Sequence, residues 1–385
     1  MTPEGVLEAA QNMLPVLRAR QAACEALGRL PEETNQEFIE AGFYRILQPR
    51  RFGGCELDLL TFFKVMTTIA RGCPSSGWVL ALTAGHAHTL ASLFPEQGQI
   101  EIFGPDGEYR APMSLNGVAI AEPVDDGYRV SGSWSYVSGC EIGTHFIGLA
   151  AVPDREQRLF VAFDRADFRV VEDWDVIGMR GTGSHRVEVV DVFVPAYRTV
   201  AMALDEAGSR SAPGRQVHTN PLYAAGRIGS VLWGEMAAVA VGIAQGALDV
   251  YEIELRTRKV NYPPFTTRAA QPDYQRHFGH AWAMVAVAEA TVDRIGREYM
   301  DFARQEVEAG IPFDDRRDGQ LKLLEQHATR LAADAVDLMF RTAGTTATRS
   351  GSPLQRSFRD MAMIRTHRAA QIDSGAQEFG QAMLA

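Results

Sequence analysis

The hydrophobic period of this chain changes twice along its length, and that limits the architectures open to it. From about residue 3 to 105 apolar side chains recur at helical spacing. Leu7, Ala10, Leu14 and Leu17 form one stripe, and Phe38, Ile39, Phe43 and Leu47 another. Pro31, Pro49, Gly53-Gly54 and Pro74 interrupt the pattern, which predicts short helices joined by compact turns, including helices over 60–70 and 77–94. Between about 109 and 203 the period drops to two, with strand-like runs at 118–121, 128–137, 146–152, 158–163 and 187–194. About six to eight short strands of this kind close into a barrel or sandwich. Beyond about 220 the helical period returns over 228–259, 274–309, 316–342 and 354–383, and four long helices in series imply an antiparallel bundle. Small residues crowd 236–247, which predicts close helix contact there. The expected fold is therefore α+β, with an N-terminal helical domain at 1–108, a β domain at 109–205 and a C-terminal four-helix bundle at 206–385.

Composition narrows the partners. A formal net charge of -10 argues against nucleic acid as the main partner, and an anionic ligand would need its own local cations. The start carries no basic segment followed by an apolar run, and no uninterrupted apolar stretch of about eighteen residues occurs, so we expect a cytoplasmic protein with no membrane partner. Cys24, Cys55, Cys73 and Cys140 form no CxxC pair, and the histidines form no HExxH, so neither a zinc site nor a structural disulfide is expected. His86 and His88, two apart on a predicted helix, point to different sides and make a poor metal pair. No GxGxxG follows a strand, so a nicotinamide site is not visible and reducing power comes from elsewhere.

The richest segment is 128–139, Tyr-Arg-Val-Ser-Gly-Ser-Trp-Ser-Tyr-Val-Ser-Gly, entered through the turn signal Asp125-Asp126-Gly127. Strict alternation puts Trp134, Tyr136 and Ser138 on one face and Ser133, Ser135 and Val137 on the other. Two rings and a hydroxyl on one face suit a flat aromatic ligand, whereas the plainer alternative is a half-buried strand.

Several motifs carry a family resemblance. Gln-Pro-Arg-Arg-Phe-Gly-Gly at 48–54, Ile-Gly-Met-Arg-Gly-Thr-Gly-Ser-His at 177–185 with Val-Phe-Val-Pro at 192–195, and Leu-Gln-Arg-Ser-Phe-Arg-Asp at 354–360 resemble, in order, those of the acyl-CoA dehydrogenase-like flavoproteins. Trp-Ser-Tyr-Val-Ser-Gly at 134–139, Arg-Thr-Arg-Lys at 256–259 followed by Pro263-Pro264, and Pro-Asp-Tyr-Gln-Arg at 272–276 are more narrowly similar to the oxygenase components of two-component, group D flavin-dependent monooxygenases, such as the 4-hydroxyphenylacetate and 3-hydroxy-seco-steroid hydroxylases. The resemblance implies an acyl-CoA dehydrogenase-like fold and reduced FMN or FAD delivered by a separate flavin reductase, by diffusion or transient contact. It also implies molecular oxygen as co-substrate, a flavin hydroperoxide, and hydroxylation of a small phenolic or fused aromatic substrate. A homotetramer or homodimer is implied as well.

It also implies roles for particular residues. Ser138 would meet the flavin at N5, with Tyr136, Val137 and Trp134 beside the ring, Trp78 at the same pocket, and Pro112, Met113 and Ser114 forming a second loop facing it. Arg258 would reach a flavin phosphate, a task suited to a permanently charged fork of donors, and Gly344-Thr345 would offer backbone amides to the same group. His367 lies near where dehydrogenases of the superfamily carry a glutamate base, and its neighbour is Arg368, so no carboxylate is present there. A histidine can take the proton of a phenol or stabilise the phenolate. His88, or His86 in its stead, would be a second pocket histidine, giving His367, Ser138 and His88 as the expected catalytic set. The competing reading is an acyl-CoA dehydrogenase-type FAD oxidoreductase with its base at Glu252 or Glu254, and a flavin-dependent N- or S-oxygenase of the same fold is a further one.

Overall fold

A computed structural model describes residues 1–202, 206–225 and 227–384, so the expected domain boundary at 205 lies outside the described residues. Five helices come first: α1 (Pro3–Leu27), α2 (Glu32–Glu40), α3 (Leu59–Gly72), α4 (Pro74–Leu93) and α5 (Glu96–Phe103). Local chemistry sets their ends. The Thr2 hydroxyl accepts from Gly5 N–H to start α1, and Gly28, at φ 72°, ends it in the left-handed conformation that glycine adopts without strain. Asp58 caps α3 by accepting from Thr61 N–H at 2.7 Å. The fourth helix is apolar on nearly every side and almost wholly buried, which makes it the axle of the helical region.

Eight strands follow: β1 (Met113–Ser114), β2 (Gly117–Val124), β3 (Gly127–Val137), β4 (His145–Ala151), β5 (Arg158–Asp164), β6 (Arg169–Val171), β7 (His185–Pro195) and β8 (Thr199–Ala201). They form one sheet in the order β6-β7-β3-β2-β4-β5-β8, with β1 added in parallel to β4. The sheet curls over its own core of Val130, Trp134, Phe146, Val161, Phe163 and Val187. Irregular pairing between β3 and β7 falls at Val130/Gly132 and at Trp134/Val137.

The remaining helices are α6 (Glu206–Ser211), α7 (Pro221–Ala224), α8 (Ile228–Thr257), α9 (Pro272–Ala309), α10 (Asp315–Thr342), α11 (Pro353–Thr366) and α12 (Ile372–Leu384). The small-residue run of α8 does what its composition suggests: a Cβ on Gly242 would lie 2.3 Å from the Thr67 carbonyl oxygen of α3. By length and composition α8 could cross a membrane, but most of it is buried inside the protein. The single helix expected over 354–383 is broken. His367 ends α11, its Nδ1 accepts from Ala369 N–H at 3.2 Å, and the Gln371 amide donates to the Arg365 carbonyl at 2.9 Å. Side chains thus satisfy groups that another helical turn would have used, with neither proline nor glycine to announce the stop.

Candidate active site

Trp78, in the first turns of α4, is the hinge of the site. Its indole Nε1 donates to Ser138 Oγ at 3.0 Å, and the His367 ring meets it edge-on with centroids 6.0 Å apart. Three distant segments thereby place a hydroxyl, an indole and an imidazole together. Ser138 is buried, whereas His367 is exposed, although the surrounding protein still lowers its pKa below the ordinary value by desolvation.

The strand before Ser138 does not alternate as expected. At the irregularity between Trp134 and Val137, Tyr136 takes φ 60°, a left-handed backbone that is costly for a tyrosine. Tyr136 swings outward, 62% exposed, and stands edge-on to Trp174 at 6.0 Å. Trp134 turns inward: it is fully buried among Phe146 and Phe163, and its Nε1 donates to the Leu149 carbonyl at 3.0 Å. Val137 is also buried in the sheet core. The expectation that Trp134 shares a face with Tyr136 and Ser138 is therefore corrected, because one extra residue at the bulge puts Trp134 on the inner face with Val137.

The two histidines of α4 part company. His88 is buried in the helical core, where its Nε2 lies 2.8 Å from the Leu222 carbonyl and 3.2 Å from Tyr299 Oη; burial pushes its pKa down to about 4. The expected placement of His88 at the pocket is corrected on these contacts. His86 Nδ1 donates to the Ala111 carbonyl at 2.6 Å, directly before Pro112-Met113-Ser114, and burial likewise lowers its pKa to about 4. Within that loop, the Ser114 hydroxyl donates to the Ser135 carbonyl at 2.9 Å and accepts from Asn116 N–H at 3.1 Å, which ties the loop to β3. Pro112 accepts from Ile147 N–H at 3.0 Å, and Met113 pairs with Ile147.

A second cluster joins Arg258 to the turn before α11. The Arg258 guanidinium donates to Thr346 Oγ1 and pairs with Glu254 at 3.0 Å, while Gly344, at φ 85°, opens the turn that contains Thr345. Arg268, which the sequence did not single out, donates to the Ala343 carbonyl and lies over the Tyr274 ring at 5.4 Å. Sequence reasoning also passed over Ser184 and Thr182, whose hydroxyls continue from Ser138, and Asp360, which accepts from Met179 N–H at 2.6 Å. Asp360 lies in the quoted 354–360 motif; burial raises its carboxyl to about 6. Its partner loop is pressed flat on α11, since a Cβ on Gly178 would lie 2.1 Å from the Arg359 carbonyl oxygen.

Helices, a curled sheet and a helical bundle that bring together an indole, a hydroxyl and an imidazole are the architecture of the acyl-CoA dehydrogenase fold. Residues 6–99 match the acyl-CoA dehydrogenase N-terminal domain and 235–372 its C-terminal domain. Over 96% of each chain it is 33% identical to the flavin-dependent monooxygenase oxygenase subunit HsaA of Rhodococcus jostii strain RHA1. It is 26% identical to the p-hydroxyphenylacetate 3-hydroxylase oxygenase component of Acinetobacter baumannii, over 98% of this chain and 89% of that one. The crystal structure of the HsaA monooxygenase from M. tuberculosis superposes with a TM-score of 0.89 at 28% identity, covering 100% of this chain and 99% of the other. The chain belongs to the oxygenase subunits of flavin-dependent monooxygenases.

The residues present fit a flavin. A ring held rigidly outward on strained backbone at Tyr136, a buried hydroxyl at Ser138 and an indole at Trp78 suit a planar heterocycle with a polar edge. Arg258, Arg268 and the amides of the 344–348 turn have the donor chemistry of a phosphate site.

Proposed function

We propose that this enzyme receives reduced FMN or FAD from a separate flavin reductase and uses molecular oxygen to hydroxylate a small phenolic or fused aromatic compound. Bound reduced flavin supplies the activation of oxygen. Ser138, held by Trp78, meets the polar edge of the flavin; Tyr136 and the 112–114 loop flank its ring, and Arg258 with Gly344 and Thr345 holds its phosphate. His367 acts on the substrate. Because its Nδ1 accepts from Ala369 N–H, its proton sits on Nε2, from which it donates to a phenolic oxygen and stabilises the phenolate. Of the two roles open to that histidine, phenolate stabilisation is the one its tautomer favours. His86, anchored beside the 112–114 loop, replaces His88 as the second histidine of the pocket.

The observation that carries this reading is the Trp78 contact with both Ser138 and His367. A phenolic substrate is supported by the name of the Acinetobacter relative. The acyl-CoA dehydrogenase reading loses its bases, since Glu252 and Glu254 are paired with Arg256 at 2.7 Å and Arg258 at 3.0 Å. Self-association into a dimer or tetramer is supported by Trp282 and Val287 of α9 and Ile253 of α8, which are large, apolar and exposed. The packing of α8 inside the bundle supports a soluble enzyme.

The test is to titrate the protein anaerobically with reduced FMN and reduced FAD, then admit oxygen with a panel of phenols. His367→Asn is expected to keep reduced-flavin affinity and lower hydroxylated product at least tenfold. Unchanged product yield would remove His367 from the chemistry.

A further inference from the structure

Three hydroxyls stand in file behind the site. Thr182 Oγ1 donates to the Met179 carbonyl at 2.8 Å, Ser184 Oγ lies 2.7 Å from Thr182 Oγ1, and Ser138 Oγ lies 2.7 Å from Ser184 Oγ. At the far end Trp78 Nε1 donates to Ser138 Oγ at 3.0 Å. All three hydroxyl residues are buried. Each hydroxyl owns one hydrogen and two lone pairs, a carbonyl can only accept, and an indole N–H can only donate.

The hydrogens can therefore be counted from both ends. Thr182 spends its hydrogen on the Met179 carbonyl, so the hydrogen between Thr182 and Ser184 comes from Ser184. That leaves Ser184 none for its other neighbour, and the hydrogen between Ser184 and Ser138 comes from Ser138. At its other side Ser138 accepts from Trp78. Its hydroxyl now has no hydrogen left and one lone pair to spare.

We infer that Thr182 and Ser184 are positioning residues that fix Ser138 as a hydrogen-bond acceptor, and so bias the site towards reduced flavin over oxidised flavin. The inference rests on the proposal that Ser138 meets N5. Reduced flavin carries a hydrogen on N5 that an acceptor can take, whereas oxidised flavin presents a bare nitrogen there, and two facing acceptors repel. Oxidised flavin could be met by reversing the file, with Thr182 donating to Ser184 and Ser184 to Ser138, or by turning the Ser138 hydrogen from Ser184 onto N5, which leaves two acceptor oxygens facing each other at 2.7 Å. Reversal costs the Met179 carbonyl its hydroxyl donor and leaves it Trp174 Nε1 and Thr182 N–H, each at 3.2 Å, so the file as a whole forfeits about one buried hydrogen bond. Such a bias suits an enzyme that must collect reduced flavin from a reductase and release it once oxidised.

The experiment measures dissociation constants for oxidised and reduced FMN and FAD, the latter anaerobically, for the wild type, Thr182→Val, Thr182→Ser and Ser184→Ala. Valine keeps the shape of threonine and removes the hydroxyl, so the file is free to reverse. Alanine at 184 releases the Ser138 hydrogen directly. In both variants the ratio of oxidised to reduced dissociation constants is expected to fall about tenfold, the worth of one hydrogen bond, while Thr182→Ser keeps the wild-type ratio. Damage of a merely structural kind would weaken both affinities together; an unchanged ratio in Thr182→Val and Ser184→Ala overturns the inference. A wild type that binds neither form of flavin would instead defeat the reading of the site itself.

Discussion

Replacing Trp134 with phenylalanine separates a core tryptophan from a cofactor-facing one. The indole lies between Gly117 of β2 and Gly148 of β4, where a Cβ would come within 2.2 and 2.7 Å of the ring, so the neighbouring strands are shaped to it. Phenylalanine cannot donate to the Leu149 carbonyl, and an orphaned buried acceptor costs about 1–3 kcal/mol. The smaller ring leaves a void worth roughly another 1–2 kcal/mol. Trp134→Phe is therefore expected to lose roughly 2–5 kcal/mol of stability in urea unfolding followed by far-UV ellipticity. Flavin affinity, measured by fluorescence quenching below the unfolding transition, is expected to stay within about twofold of the wild type, because among the described residues the hydrogen bond and ring contacts of Trp134 go to Leu149, Phe146 and Phe163 and not to Trp78, Ser138 or His367. A tenfold loss of flavin affinity at unchanged stability would refute the inward assignment and restore Trp134 to the cofactor.

Two further outcomes test the frame around the site. Asp360 has a folded-state pKa raised to about 6 by burial, so its contribution to stability is greatest below its unfolded value near 4 and declines as pH rises through about 6. Asparagine can still accept from Met179 N–H without the charge, so Asp360→Asn is expected to gain on the wild type between pH 5 and pH 7.5 in urea midpoints; a constant difference across that range would rule the buried charge out. His88→Ala, which empties a core position beside Tyr223 and Tyr299, is expected to cost about 2–4 kcal/mol in the same assay and to leave the pH profile of hydroxylation unmoved; a shifted profile would put His88 back in the chemistry.

The architecture was legible because hydrophobic period reports burial directly, and the helices of the bundle and the strands fall where the period changes. What escaped was decided by single residues. The bulge after Trp134 needs one left-handed tyrosine, and nothing in the local composition marks it. The break at His367 is made by side-chain hydrogen bonds instead of by a breaker residue. His86 and His88 could not be sorted, because α4 is apolar on nearly every side and offers no stripe from which to tell its faces. Ser184 and Thr182 carried no assigned role until their distances joined them to Ser138.

The Glu25 carboxylate of α1 accepts from both Arg356, at 2.7 Å, and Arg359 of α11, and Arg359 in turn donates to the Ile177 carbonyl at 2.6 Å. Glu25 and Arg356 are 331 positions apart in the chain. On a ribosome, then, Glu25 waits for 331 further positions before its partner Arg356 is made. The meeting of Trp78 with His367 likewise awaits α11, and a chain cut short before residue 353 lacks His367 and the clamp together, whatever else of it has folded.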